Sequence, residues 1–144
     1  MTTPNHQIRC YSAALKMLMR REHSKLELFS KLQLKGYDDE IIDSTITQLT
    51  EQNYQSDERF AEAFILMRFN QGKGPVKIAS ELKLRGISSF NLSDFDWFKS
   101  AKEIRKKKFG DIVSSDFKEQ AKQKRFLQSR VFSLDQINQS FLKI

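Results

Sequence analysis

The residue types that most often do chemistry are few in this sequence, and their spacing does not favour it. His6 and His23 are the two histidines, and neither has a second histidine or cysteine at a metal-ligand spacing. Cys10 has no neighbouring base to activate its thiol, and a lone cysteine is most often a small buried hydrophobe. The acidic run at 38–40 lacks the alternating oxygen ligands of a calcium loop. We therefore predict no catalytic residue, no metal and no cofactor, and a protein that is not an enzyme.

The loop Gly72-Lys73-Gly74 resembles part of a phosphate-cradling loop. A P-loop needs a glycine, four residues and then Gly-Lys-Ser/Thr, and it follows a buried strand. Here Pro75 follows the second glycine, and a helical pattern precedes the first. The loop is therefore interpreted as a joint between two helices.

Basic side chains are the stronger functional signal. The net charge is +7, and residues 98–144 hold 12 of the 25 basic residues but only 5 of the 18 acidic ones. Solvated helix faces are normally rich in Lys and Arg. It is the recurrence of these side chains on the second helix of each of three repeats that supports the prediction of a stripe facing an anionic partner. The predicted stripe consists of Lys25, Lys31, Lys35, Lys73, Lys77, Lys83, Arg85, Lys118, Lys122, Lys124, Arg125 and Arg130.

The elements that position these side chains form an internal repeat. Ser30-Lys-Leu-Gln-Leu-Lys-Gly36 matches Ser80-Glu-Leu-Lys-Leu-Arg-Gly86 at an offset of fifty residues. The first helices of the repeats are aligned by apolar side chains, namely Tyr11, Ala14 and Met17 with Phe60, Ala63 and Leu66, and then with Phe98, Ala101 and Ile104. The sequence predicts an all-α fold of three tandem three-helix repeats stacked into an elongated, curved body. The predicted segments are an N-terminal arm at 1–9 and repeats at 10–54, 55–97 and 98–144.

Helix boundaries follow from capping residues in the first two repeats. Ser24 with Glu27 forms a capping box, and Gly36 closes that helix. Either aspartate at 38 or 39 is expected to cap the third helix. Asp57 is expected to cap a fourth helix that buries Phe60, Phe64 and Met67 and ends at Gly72. Pro75 then suits the first position of a helix that buries Ile78, Ala79 and Leu82.

Later helix boundaries are signalled less regularly. A short third helix of the second repeat is expected around Leu92 to Phe98. In the third repeat, Asp116 is expected to cap the second helix, and Ser133 with Gln136 forms another capping box. Val131 stands where the other repeats have glycine, so the turn there must be built differently or the helix must end otherwise.

Composition places the chain among soluble proteins of a reducing compartment. The single cysteine excludes an internal disulfide, and no run of some eighteen apolar residues is present to span a membrane. The N-terminal residues lack the apolar core of a signal peptide. We expect a cytoplasmic protein with no membrane partner and no small-molecule substrate. The lack of a long apolar stripe favours a monomer.

Several short motifs together resemble the RecX family, the bacterial modulators of the RecA recombinase. They are Arg21-Glu-His-Ser24, Lys31-Leu-x-x-Lys-Gly36, Asp57-Glu-Arg-Phe-Ala61, Gly72-Lys-Gly-Pro75 and Glu81-Leu-Lys-x-Arg-Gly-Ile87. The resemblance runs from about Tyr11 to the end. It implies three tandem three-helix repeats that lie in the groove of the RecA filament on single-stranded DNA. It also implies restraint of filament growth, ATP hydrolysis, strand exchange and the co-protease activity that triggers the SOS response, with no enzymatic activity of its own.

Two other functions stay open from the residues alone. Three-helix units resemble helix-turn-helix folds, so a basic chain of this kind could be a module that binds DNA without a recombinase, through phosphate contacts. Base reading usually uses Arg, Asn or Gln on one recognition helix, whereas this chain is rich in Lys and has no privileged helix. A purely structural scaffold is the third possibility.

Overall fold

The chain is helical throughout the part that the structure describes. The computed structural model describes residues 4–130 and 132–142, and within these ranges it holds eight helices and no strand, which confirms the all-α prediction. The first helix begins inside the segment 1–9 that was predicted as an arm. The helices are α1 (Pro4–Arg20), α2 (Lys25–Leu34), α3 (Asp39–Glu51), α4 (Asp57–Asn70), α5 (Pro75–Leu84), α6 (Trp97–Phe109), α7 (Phe117–Ser129) and α8 (Leu134–Gln139).

These helices are distributed over two compact units. The first unit holds α1, α2, α3, the part of α4 up to Phe64, and residues 82–90. The second holds residues 65–81, which include the end of α4 and most of α5, together with α6, α7 and α8. The boundary between the two units therefore passes through α4 and α5.

The core of the first unit lies between α1, α2 and α3, which all pack on one another. Cys10 is fully buried, as predicted, and burial raises the pKa of its thiol. Burying a leucine or isoleucine side chain stabilises a fold by roughly 1.5–3 kcal/mol, so the apolar side chains around Cys10 hold the three helices together. They are Ala14, Leu28, Leu32, Ile41, Ile42, Ile46 and Leu49.

Two neighbouring side chains at the start of α4 cap two different helices. Ser56, not Asp57, caps α4, because the Ser56 hydroxyl accepts a hydrogen bond from the Arg59 N–H at 3.1 Å. The predicted role of Asp57 is therefore wrong. Its Oδ1 accepts instead from the backbone N–H of Lys25, the first residue of α2, at 2.9 Å. A carboxylate at a helix N-terminus satisfies a free N–H and complements the helix dipole, so Asp57 stabilises α2 from the next repeat.

Several predicted helix ends are confirmed. The Ser24–Glu27 and Ser133–Gln136 capping boxes are both formed. Asp116 caps α7 through the N–H of Lys118. Asp38 takes the N-cap position of α3, although its side chain makes no capping hydrogen bond.

One backbone hydrogen bond recurs at the end of the second helix in all three repeats. The N–H of Tyr37 donates to the carbonyl of Leu32 at 3.3 Å, and the N–H of Ile87 donates to the carbonyl of Leu82 at 3.0 Å. The N–H of Phe132 likewise donates to Leu127, at 3.5 Å. This is the bond that closes a Schellman motif. Val131, whose turn was predicted to be unusual, lies outside the described residues.

The alignment of the first helices needs a correction of one residue. Ala63 is exposed, so it does not match the inward-facing Ala14, and Leu66 is more exposed than the half-buried Met17 with which it was aligned. Burial instead follows the offset of fifty that the second helices show. At that offset Cys10 matches Phe60 (3% exposed) and Ala14 matches Phe64 (6% exposed).

Other inward-facing positions of α4 and α6 also differ from the prediction. Met67 was predicted to be buried but is 45% exposed. In the third repeat Trp97 is buried and Phe98 is 44% exposed, so Trp97 is the residue that faces the core. Both differences arise because helix periodicity permits two neighbouring apolar stripes, and packing selects one of them.

The predicted helix around Leu92 to Phe98 is not formed. Residues 87–96 hold only turns and irregular backbone. The Asn91 carboxamide oxygen accepts from the N–H of Ser93 at 2.8 Å, a local bond that competes with helix formation. The indole N–H of Trp97 then donates to the carbonyl of Leu92 at 2.7 Å and closes the loop.

The second unit packs α6, α7 and α8 on one another. Leu127 and Ile137 are buried. The same unit holds an aromatic cluster of Phe69, Phe95 and Trp97, with ring centroids 4.6–5.6 Å apart. A fully buried arginine, Arg105, takes the core-facing position one turn after Ala101. Its Nε donates to the carbonyl of Ser140 at 2.9 Å, which ties α6 to the end of α8.

Gly36 and Gly86 occupy the same position in the first two repeats, and substituting each of them tests the packing at that position. Gly36 has a φ of +92° and nothing within 4 Å of an added Cβ, whereas Gly86 has a φ of +80° and an added Cβ would lie 3.0 Å from the Leu26 Cβ. Gly36→Ala should therefore cost about 1 kcal/mol from left-handed strain alone. Gly86→Ala should cost roughly 1 kcal/mol more because of the clash. Urea denaturation of both variants measures the difference, and equal losses would contradict the packing described for Gly86.

Candidate partner-binding surface

Six of the twelve cations predicted to bind a partner are well exposed. Within the described part of the chain their side chains make no ion pair and no hydrogen bond, so their charges are open to solvent. Lys73 and Lys77 are half-buried and likewise have no such contact in the described residues. The six exposed cations are Lys25, Lys35, Lys83, Lys118, Lys122 and Arg125.

Lys31 has a structural contact instead. Its Nζ lies 3.0 Å from Nε2 of His23, a side chain that is only 3% exposed. Because the ammonium group can only donate, Nε2 accepts and the ring proton sits on Nδ1, which donates to the carbonyl of Arg21 at 3.0 Å. His23 is thus held neutral at the entry to α2, and Lys31 is part of that arrangement.

Arg85 contributes to a charged cluster around Glu27. Its Nε lies 3.9 Å from Glu27 Oε2, and its guanidinium lies over the ring of Phe64 at 4.7 Å. The same carboxylate pairs with Arg21 at 3.1 Å. Burial alone would raise the pKa of Glu27, but the hydrogen bonds from Arg21 and the Ser24 N–H outweigh it, so the pKa is lowered. Glu27 therefore stays ionised and neutralises part of this basic region.

In the second unit two predicted cations lie against aromatic rings. The Lys124 ammonium is 5.4 Å from the centre of the Phe141 ring, and the Arg130 guanidinium is 5.5 Å from that of Phe126. A cation over an aromatic face gains about 0.5–1 kcal/mol at an exposed site while keeping its full charge. These two side chains are therefore oriented without being neutralised.

The prediction missed the basic end of α6. Lys106, Lys107 and Lys108 are exposed in its last turn, where positive charge complements the helix dipole. The run Arg105-Lys-Lys-Lys108 is visible in the sequence, but a search restricted to the second helix of each repeat passes over it. Arg105 itself is not part of a surface, because it is fully buried and burial lowers its pKa.

Two of the motifs that carry the family resemblance, at 21–24 and 57–61, bind each other within the first unit. The Gln55 carboxamide donates to the carbonyl of His23 at 3.3 Å and to Asp57 Oδ1 at 2.9 Å. Arg59 Nε donates to Glu22 Oε1 at 3.0 Å. The segments around His23 and Asp57 therefore join the first repeat to the start of the second.

The described residues contain no group of three or more His, Cys, Asp or Glu side chains arranged to hold a metal ion. None of the helices in the ranges 4–130 and 132–142 is both long enough and apolar enough to cross a membrane.

Three family models match the chain in order. They are the first three-helix domain of RecX over residues 10–49, the second over 56–92 and the third over 94–140. The chain belongs to the RecX family. The predicted resemblance and the tandem three-helix repeats are therefore confirmed.

Full-length relatives agree with this assignment. The regulatory protein RecX of Halorhodospira halophila is 37% identical over 131 residues, covering 87% of this chain and 81% of that protein. The regulatory protein RecX of Acinetobacter baylyi is 38% identical over 137 residues, covering 92% and 86%. Proteins of this family are thus named as regulators, and the similarity extends over most of both chains.

Solved RecX structures share the fold. RecX from Lactobacillus salivarius gives a TM-score of 0.80 at 21% identity and covers 96% of each chain. A second crystal structure of a regulatory protein RecX gives a TM-score of 0.76 at 20% identity and covers 92% of this chain and 71% of that one. At these identities the likeness concerns the fold alone.

The His23–Lys31 contact predicts a pH dependence of stability. Burial, with the nearby charges of Arg21 and Lys31, lowers the pKa of His23 below its ordinary value, although the hydrogen bond to the Arg21 carbonyl and the charge of Glu27 act the other way. Below about pH 6.5 the unfolded chain binds a proton that the folded His23 does not. The stabilisation is therefore complete above that pH and is lost as the pH falls through the lowered pKa.

Chemical denaturation at pH 7.5 and at lower pH measures this loss. His23→Gln should remove this part of the pH dependence, whereas His6→Gln, which removes the other histidine, should retain it. A loss of the same size in His23→Gln and in the unsubstituted chain would show that His23 is not its source.

Proposed function

We propose that this chain regulates the RecA recombinase by binding its filament on single-stranded DNA. The observation that carries the proposal is the match to three consecutive RecX domains over most of the chain. The predicted effects are restraint of ATP hydrolysis, of strand exchange and of the co-protease activity. Through them the chain regulates DNA repair, recombination and the SOS response.

Occupancy of the filament groove is the proposed mechanism. The exposed cations of α2, α5 and α7 contact acidic protein surface or DNA phosphate, which steers association and fixes orientation. A chain bound across adjacent recombinase subunits holds their relative arrangement. It also blocks the space that a second DNA strand or a repressor must enter.

The proposal needs no chemistry from the chain itself. Binding alone changes turnover on the filament, so the chain is not an enzyme and requires no cofactor. We place it in the cytoplasm, where the recombinase acts, and expect it to act as a monomer.

The test is the single-stranded-DNA-dependent ATPase of a RecA filament titrated with this protein. ATP turnover should be suppressed at protein concentrations too low to coat the DNA, because a chain within the groove stops ATP hydrolysis by the recombinase subunits around it. Binding to the same DNA without recombinase is measured in parallel at two salt concentrations. Unchanged ATP turnover, together with salt-sensitive binding to naked DNA, would contradict the proposal and favour a module that binds nucleic acid without a recombinase.

A charge-reversal pair tests the role of α7. Lys118 and Lys122 are exposed and lie one helical turn apart, and Lys118→Glu with Lys122→Glu keeps residues that favour helices. The midpoint of ATPase suppression should rise roughly tenfold, because two attractive contacts become repulsive.

The matched control is Lys16→Glu with Arg20→Glu. These residues are also exposed and one turn apart, on α1, and the change in net charge is the same. The control should shift the midpoint by less than about twofold, an effect of net charge alone. Equal shifts in the two variants would show that α7 is not a preferred contact.

A further inference from the structure

One cleft of the second unit stands out by its charge. Its volume is about 340 Å³, and it lies between the α4–α5 loop, the end of α6 and the end of α7. Its basic lining consists of Lys107, Lys108 and Arg130, and no aspartate or glutamate lines it. A volume near 300 Å³ is at the small end for ligand sites, which suits one charged group with its neighbouring atoms.

The walls of this cleft are fixed by contacts within the unit. The N–H of Gly74 donates to the carbonyl of Arg130 at 2.7 Å, and Arg130 Nη1 donates to the carbonyl of Gln71 at 3.4 Å. An added Cβ on Gly72 would lie only 3.2 Å from Ile104 Cδ1, so the loop packs closely on α6. The loop, α6 and α7 are thus tied together, and the cleft exists before any ligand binds.

An aromatic ring orients the cations of the cleft. Phe126 has the Lys108 ammonium 5.7 Å and the Arg130 guanidinium 5.5 Å from its ring centre. The ring itself is held by an edge contact with Phe109, at 5.4 Å between centres. In the ranges 4–130 and 132–142 neither Lys107, Lys108 nor Arg130 forms an ion pair. Three positive charges therefore converge on one cleft without a countercharge.

We infer that this cleft binds a phosphate group of a single-stranded nucleic acid. An arginine fork with two ammonium groups matches the oxygens of a phosphate. The partly exposed Phe126 adds an aromatic face of the kind on which bases stack in sequence-independent single-strand binding. The alternative anion, a carboxylate of a partner protein, would occupy only a small part of the cleft.

The inference extends the proposed function, since it places a phosphate contact on the chain itself. Its test uses the chain and DNA alone, so it stands or falls independently of any effect on the recombinase. Binding of a fluorescent oligo-dT of about twenty nucleotides is measured by anisotropy over a range of salt concentrations.

The decisive variant is Lys107→Ala with Lys108→Ala. The slope of log K against log salt should fall by roughly 0.7, the contribution of one lost phosphate contact on a single strand. The affinity at low salt should fall about tenfold. The control Lys16→Ala with Arg20→Ala removes the same charge from an exposed part of α1 and should change the slope little. Equal changes in the two variants would overturn the inference.

A neutral substitution gives a second arm. Phe126→Leu leaves every charge in place but removes the ring that orients Lys108 and Arg130. Affinity for the oligonucleotide should fall severalfold. If the DNA were held by diffuse charge alone, the affinity would not change, and that result would contradict binding in the cleft. Circular dichroism and thermal unfolding establish that each variant is folded.

Polyglutamate in place of DNA tests the carboxylate alternative. Binding of polyglutamate but not of DNA would overturn the assignment to phosphate.

Discussion

The Asp57 carboxylate accepts hydrogen bonds from the Lys25 N–H and the Gln55 carboxamide, each at 2.9 Å, and the structure of the first unit depends on this pair. It joins the start of α2 to the start of α4. Gln55 is almost fully buried and also reaches the carbonyl of His23 at 3.3 Å. Hydrogen bonds to a charged acceptor typically contribute about 1.5–3 kcal/mol, more than neutral ones. Two helices from successive repeats therefore begin at one fixed point, and each exposed cation on α2 has a defined position.

A second constraint is that positive charge has two uses in this chain. Some cations stabilise the fold, as Arg59 does through Glu22 and Arg105 does through the carbonyl of Ser140. Others, such as Lys118 and Lys122 on α7, contact no carboxylate among the described residues. Net charge alone does not separate these groups. The distinction matters for function, because only a charge that is not already neutralised attracts an anionic partner.

The sequence predicts helix ends well and inward-facing positions less well. Capping boxes such as Ser24 with Glu27 use local hydrogen bonds, so residue type and spacing are enough to identify them. The left-handed glycines Gly36 and Gly86 are predictable for the same reason. In contrast, Trp97 is buried in place of Phe98 because neighbouring helices select one of two possible stripes. That selection depends on packing that no single segment contains.

The candidate surface shows the same division between local and distant information. A lysine on a helix face is visible in the sequence, but its neighbours are not. His23 lies eight residues from Lys31 and Glu27 lies far along the chain from Arg85, and only the fold brings them together. The cleft at Arg130 is still harder to predict from the sequence, because its walls come from three separate segments, the α4–α5 loop, α6 and α7. Sequence reasoning found Arg130 through its place in the repeat and missed Lys107 and Lys108, whose helix was not searched.

We propose that exposed cations on α2, α5 and α7 contact a recombinase filament. The most direct measurement is amine-reactive footprinting, in which the labelling of each lysine is compared by mass spectrometry with and without a RecA filament on single-stranded DNA. We expect Lys25, Lys83, Lys118 and Lys122 to lose reactivity while the exposed Lys16 on α1 retains it. Protection of Lys16 with continued labelling of the other four lysines would show that the filament binds a different surface.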